Sequence, residues 1–411
     1  MSQLTDAWGA GASTVYEQLA ERFRPLFAQI REGAITRELN RELPFDAIKA
    51  LKASGFTALR VPENYGGSGA TLPELFNLLI ELGEADSNLV QAIRGHLGFV
   101  EKILNSDNAE WRDRWLTRLG QGEIVGPAWS ETGDAKQRQF GATLTQEGQH
   151  WRLNGTKFYT TGSLYSDWID IGVSGEGDAV RAIAVARHAP GVTVEDDWNG
   201  FGQTLTASGT ARFENVIVEA SDIDDETRFK YATGFFQLVH LATLAGIGRA
   251  LTGEVAQALS ARTRTYSNGN APRAADDAQL LQVVGRLRGS AYVSGTVVLK
   301  NADALQRAFE SRFSGDEAAE QQANAIAELE VSQGLTIVTD LILSAATTQF
   351  DALGASATLK PLALDRFWRN ARTLSSHNPR IYKDRIVGDY AVNGTLPPYQ
   401  WRIGVAENKA G

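Results

Sequence analysis

Apolar residues recur at three- and four-residue spacing through the first 120 positions. Val15, Leu19, Phe23, Leu26 and Ile30 predict a helix over 12–33. Pro44 opens a second over 45–53, which Gly55 ends. A long helix is expected from about Thr71, broken near Gly95–Gly98, and another over 109–119. Between 141 and 218 the period changes. Short runs rich in Val, Ile, Thr and aromatics (ATLTQ, HWRLNGTKFYT, WIDIGV, VRAIAVA, TARFENVIV) alternate with Gly, Asn and Asp turns. Asn154-Gly155 predicts a hairpin turn within a compact antiparallel β region. From about Asp225 helical spacing returns, over 229–265, 274–310 and 317–350, with a polar turn at 312–322 and a fourth helix from Ala363. The pattern predicts an α+β chain: a helical domain at 1–124, a β domain at 125–224 and an up-down four-helix bundle at 225–411.

The stretch 363–393 holds the densest candidate chemistry. Leu364, Phe367, Trp368, Ala371 and Leu374 make one helix face, and Arg366, Arg369 and Arg372 form a stripe beside it. Pro379 ends the helix just beyond His377. Such a helix end can hold an anionic cofactor or substrate. The plainer alternative is a solvated arginine face with a capping histidine.

Composition narrows the function. No cysteine means no disulfide and no thiolate site, and a net charge of -9 argues against a general nucleic-acid binder. The five histidines lack metal-ligand spacing, so no metal site is expected. No run approaches a membrane span, and the first residues lack a secretory pattern, so a cytoplasmic location is expected. Gly66, Gly67 and Gly69 mark an irregular loop, not a dinucleotide fingerprint. The chain shows no obvious nicotinamide site, which fits reduction of any redox cofactor elsewhere.

Several motifs carry a family resemblance in their order. They are Pro62-Glu63-Asn64-Tyr65-Gly66-Gly67, Trp129-Ser130-Glu131, Asn154 to Gly162 (NGTKFYTTG) and Phe213 to Val218 (FENVIV). Together with the helix–sheet–bundle order they resemble the acyl-CoA dehydrogenase superfamily across nearly the whole chain. The region before the last helix offers no glutamate to act as that family's base; Asp351 and Asp365 are its only carboxylates. Asp365 reads more simply as a helix-start residue. Thr161 to Asp167 (TGSLYSD), His377-Asn378-Pro379 and His96 in IRGHLGF instead resemble the two-component flavin monooxygenases of the superfamily, the dibenzothiophene and methanesulfinate enzymes.

That resemblance implies reduced FMN delivered by a separate NAD(P)H:flavin reductase. It implies a flavin C4a-hydroperoxide, formed with molecular oxygen, that oxygenates a small organosulfur compound. His96, Ser163 and His377 are then the expected catalytic residues. Trp129, Ser130, Phe158, Thr161 and Ser163 are expected along the flavin, with Arg262, Arg264, Arg369 and Arg372 for its phosphate. Tyr165, Arg366 and Trp368 are expected to bind substrate. His240, among leucines, is expected in the core. A homotetramer follows from the same resemblance, with flavin at a subunit interface. The alternatives are an aromatic hydroxylase, a dehydrogenase-like oxidoreductase with a relocated base, and a helical assembly protein without cofactor.

Overall fold

The computed structural model describes residues 7–132, 140–175, 180–224 and 228–398. The expected boundary at 224/225 and the end of the chain, 399–411, fall at or in residues outside that set. Six helices come first: α1 (Thr14–Glu32), α2 (Ala34–Asn40), α3 (Phe45–Ser54), α4 (Leu72–Ala85), α5 (Ser87–Leu104) and α6 (Ala109–Gly120). The break in the long segment lies earlier than expected. Asp86 separates α4 from α5 by accepting from the Asn88 N–H, as an N-cap does. Gly95 and Gly98 stay helical. A Cβ at Gly95 would lie 2.3 Å from the Pro127 ring, and one at Gly98 2.1 Å from the Phe236 ring. These glycines let α5 press against a strand on one side and the bundle on the other.

The sheet contains β1 (Val125–Ala128), β2 (Thr143–Glu147), β3 (His150–Lys157), β4 (Trp168–Ser174), β5 (Val180–Ala186), β6 (Val192–Val194), β7 (Ala211–Val218) and β8 (Ile223–Asp224). Their order is β6-β7-β3-β2-β4-β5-β8, and β1 pairs with β4. The sheet is mixed, because β1 and β2 both run parallel to β4. Asn154-Gly155 makes no hairpin. Strand β3 runs straight through it, and its register against β7 slips between Leu153 and Gly155. The positive φ that an Asn-Gly pair tolerates serves a bulge equally well: Gly155 has φ +148. Asn154 Oδ1 accepts from Asn215 N–H at 2.9 Å. The reverse turn between β2 and β3 falls at Gly148, φ +64.

Three long helices follow, α7 (Ala232–Ser260), α8 (Ala278–Ser311) and α9 (Glu317–Leu353), then two short ones, α10 (Asp365–Ser376) and α11 (Ile381–Asn393). The expected fourth long helix is therefore only 12 residues. Helix α4 packs on α7 and α8 instead. A Cβ at Gly246 would sit 2.5 Å from the Gly83 carbonyl carbon, so two glycines set the α4–α7 crossing. Helix α7 is long and apolar enough by composition to cross a membrane, but 89% of its most apolar window is buried inside the protein.

The N-terminal helices and the bundle share one hydrophobic core, which runs from Phe23 and Phe76 through Phe235 to Ile342 and Leu374. The sheet keeps its own, around Leu153, Ile171 and Phe213. Between the two cores lies the junction where β1, α5, α7 and the end of α10 meet.

Candidate functional site

On the sheet side, two separate motifs meet. Phe158 N–H donates to the Ser130 carbonyl at 3.0 Å, so the turn after β1 and the end of β3 form one edge. Ser130 is exposed, and Trp129 and Phe158 are half-buried. Trp129 is fixed by its Nε1–H, which donates to Asp170 at 2.5 Å. Its ring stands over Gly172, where a Cβ would come within 2.6 Å. Lys102 at 3.5 Å holds Asp170 in turn. Glu131 takes the plainer role of a structural clamp: it pairs with buried Lys157 and accepts from the Gly141 and Ala142 N–H groups.

On the helical side, α5, α7 and α10 bring basic groups together. Arg94 Nε donates to the Phe236 carbonyl at 3.2 Å, and its guanidinium lies 4.7 Å from the Phe236 ring centre. The His240 and His377 rings are 4.7 Å apart. Burial, then the charge of Arg228, pushes Arg94 down to about 9. Burial, then Arg94 and His377, holds His240 well below its ordinary value, and its Nε2 is buried without a partner. His377 is solvent-accessible, yet protein crowds it closely enough that burial and then Arg94 push it down to about 4. His377 Nδ1–H donates to the Asn378 side-chain carbonyl at 3.2 Å. Arg228 links the two sides, with its guanidinium 5.9 Å from the Trp129 ring centre.

Several expected site residues are committed elsewhere. His96, 2% exposed, donates from Nε2 to the Thr57 carbonyl (2.8 Å) and accepts at Nδ1 from Val125 N–H (3.2 Å). Both nitrogens tie α5 to neighbouring backbone, so neither is left for a reacting oxygen. Ser163 is fully buried and donates to the Pro127 carbonyl at 2.9 Å. Thr161 pairs with Ser208, and Tyr165 donates to the Leu205 carbonyl at 2.6 Å.

The arginine stripe dissolves into ion pairs. Arg366 is buried against Glu254, and Arg369 bridges Glu38 and Asp365, both within 2.9 Å. Their periodicity reflects packing. Arg372 is half-buried and makes no ion pair among the described residues. Trp368 stacks on Phe201 at 5.9 Å, and both rings are largely exposed. Arg262 donates to the Leu353 carbonyl at 2.7 Å and to that of Arg264, itself exposed. A cavity of about 410 Å³, lined by Tyr231, Gly234, Leu305 and Glu328, touches none of the expected side chains.

Sequence reasoning did not single out Arg94, and it placed His240 in the core, where the ring is indeed buried. Arg94 lies two residues before His96, and on a helix that places it on nearly the opposite face. The family match fell on the histidine. A signal existed: Gly95 and Gly98 mark the packed side of α5, and Arg94 adjoins it. His240 was read as core because leucines flank it, and periodicity cannot see a ring facing a neighbour 4.7 Å away.

Two family models match: the acyl-CoA dehydrogenase N-terminal domain over residues 12–123 and the acyl-CoA dehydrogenase C-terminal domain over 238–379. The chain belongs to the acyl-CoA dehydrogenase superfamily. Among its relatives, dibenzothiophene monooxygenase of Rhodococcus qingshengii is 28% identical over 369 residues, covering 84% of this chain and 86% of that protein. The probable FMNH2-dependent monooxygenase SfnC of Pseudomonas putida is 25% identical over 384 residues, covering 91% and 94%. Methanesulfinate monooxygenase MsuC from Pseudomonas fluorescens has the same fold, with a TM-score of 0.84 at 24% identity over 94% of this chain and 99% of that one. So does FMN-bound TdsC from Paenibacillus sp. A11-2, with a TM-score of 0.84 at 23% identity over 92% and 98%.

Proposed function

We propose that this chain is a reduced-FMN-dependent monooxygenase that adds one oxygen atom to a small organosulfur compound. The observation that carries the reading is the end of α10. It sets His377 beside His240 and under the influence of Arg94, and among the described residues no carboxylate acts on either histidine. Abstraction of a proton next to a thioester needs a base there. Oxygenation of an electron-rich sulfur does not, because the sulfur lone pair is itself the nucleophile. The names of SfnC and of the dibenzothiophene and methanesulfinate enzymes support the same reading.

The residues present fit a flavin. Trp129, Ser130 and Phe158 make a half-open aromatic edge along which a flat ring can lie, and the exposed Ser130 hydroxyl is available to it. FMN supplies the two electrons that let dioxygen be split between substrate and water. A separate flavin reductase as electron source belongs to this proposal, as does a cytoplasmic location.

We also propose a homotetramer. Leu281, Tyr292 and Val293 on α8, Ile337 on α9, and Ile381, Tyr382 and Val392 on α11 are exposed, more apolar surface than a solvated bundle needs. Arg262, Arg264 and Arg372 are then the arginines left to reach flavin phosphate, within or across subunits.

The test is anaerobic titration with FMN and FMNH2, followed by reductase-coupled turnover of methanesulfinate, dimethyl sulfone, dibenzothiophene and 4-hydroxyphenylacetate with products weighed by mass. Tighter FMNH2 binding and a 16-unit gain on a sulfur compound are expected. Gain on the phenol alone overturns sulfur oxidation, and desaturation of an acyl-CoA overturns the whole reading.

A further inference from the structure

We propose that Arg94, His240 and His377 form a subsite for an anionic head group on the substrate, so that the enzyme takes its small molecule as an oxyanion and Arg94 selects for that charge. The inference rests on the monooxygenase reading and names the substrate class within it.

The argument begins with what Arg94 lacks. Its only hydrogen bond within the described residues is from Nε to the Phe236 carbonyl, so neither terminal nitrogen meets an acceptor. Among the described residues, the ionisable groups that act on Arg94 and the two histidines are Arg228, Arg94 and His377, and no carboxylate acts on these three. Elsewhere in this acidic chain, buried Arg60 and Arg366 find acids in Glu101 and Glu254, and half-buried Arg369 pairs with Glu38. Holding Arg94 beside two crowded imidazoles, with no acid acting on them among the described residues, costs free energy. A bound anion offsets that cost.

The second observation is independent. His240 is 3% exposed, and its Nε2 has no partner. It faces His377, whose Nδ1 is occupied by Asn378, leaving the His377 Nε2 as the nitrogen available to a ligand. His240 Nε2 can carry an N–H, and an arriving anion favours a proton on His377 Nε2, so these nitrogens and the Arg94 guanidinium can all donate to it. That suits a single sulfinate, sulfonate or carboxylate group.

The same chemistry could come from the flavin phosphate. Placement favours the substrate. Phosphate sites commonly use a helix N-terminus and its free N–H groups. Arg94 and His240 lie within helices, and His377 stands at the C-terminal end of α10.

The test uses methanesulfonate as an unreactive oxyanion probe and dimethyl sulfone as its neutral counterpart. Both are titrated calorimetrically into the anaerobic FMNH2-loaded protein, as wild type, Arg94→Met and Arg94→Lys. Thermal melts confirm folding of each. The wild type is expected to prefer methanesulfonate. Arg94→Met is expected to weaken it by roughly tenfold to a hundredfold, the range for one charged hydrogen bond. Arg94→Lys is expected to recover part of that, with sulfone and FMNH2 affinities within about threefold throughout. Equal wild-type affinity for the two probes overturns the proposal. So does loss of FMNH2 binding in Arg94→Met with methanesulfonate unchanged, which assigns the cluster to the flavin phosphate. No turnover is required, so a protein that binds methanesulfonate through Arg94 yet oxygenates nothing sinks the monooxygenase reading and leaves the subsite standing.

Discussion

His240 on α7 and His377 at the end of α10 hold their rings 4.7 Å apart, tilted by 54°. One ring is buried and the other is exposed. His377 lowers the pKa of His240, and Arg94 lowers both. In the ligand-free protein near neutral pH both imidazoles are therefore neutral. A neutral imidazole can donate one proton and accept another.

The proposed function predicts that His377 acts on the chemistry and contributes little to the fold. Among the described residues its side chain bonds only the adjacent Asn378. His377→Ala is expected to melt within a few degrees of wild type and to bind FMNH2. In the reductase-coupled assay its product should fall roughly tenfold or more, with hydrogen peroxide in its place. Wild-type coupling in this variant would remove the histidine from the reacting centre.

His96 predicts the opposite pattern. Removing the ring strands the Thr57 carbonyl and the Val125 N–H in a buried place. His96→Ala should lose about 2–4 kcal/mol of stability. Activity per folded molecule should change little. Denaturant midpoints and active-site titration separate the two effects, and a stable but uncoupled variant would return His96 to the catalytic role its motif suggested.

The sequence made the large organisation legible and the site only in part. Period alone located α1, α3, α6 and the change from helix to strand, because burial of one face imposes it. Motif order located the edge at Trp129-Ser130 and Phe158, which Phe158 N–H to Ser130 confirms as a contact. The arginine stripe misled because a basic residue beside an apolar face is equally suited to an internal carboxylate, and Glu254 and Glu38 are distant in sequence. Asn154-Gly155 misled because a positive φ does not distinguish a turn from a bulge. The role proposed for Arg94 and His240 was illegible because it depends on their three-dimensional neighbours.

Gly162 explains why the TGS motif needs its glycine. It has φ +81, and a Cβ there would lie 1.8 Å from the Ala92 carbonyl oxygen of α5. Neither backbone can yield cheaply. Gly162→Ala should cost several kcal/mol, about 2–4 by comparison with overpacked core sites. It should also displace Thr161 and Ser163 and weaken FMNH2 binding. A melt and an FMNH2 titration check both. An unperturbed variant would show that this loop is not held against α5.

The histidines also set a pH dependence, and its sign can be isolated. Burial pushes His96 down to about 4, against the opposing influence of its bond to Thr57, with Asp167 and Lys52 acting more weakly. An imidazole ordinarily titrates near 6.5. Between those values the unfolded chain binds a proton that the folded chain refuses, so stability falls as pH falls from about 6.5 toward 4. At pH 5 the loss from His96 alone is about 2 kcal/mol, at 1.36 kcal/mol per unit. The wild-type curve does not show this directly, because burial raises Glu84, Glu328 and Asp222, and those carboxyls gain stability on acidification. The difference between wild type and His96→Gln cancels them. At pH 7.5 the variant should be the less stable protein. By pH 5 the gap should have closed by about 2 kcal/mol, because glutamine has no proton to refuse. Urea unfolding at both pH values measures it. A gap that stays constant would mean that His96 is protonated in the folded state, and that the Val125 N–H does not donate to its Nδ1.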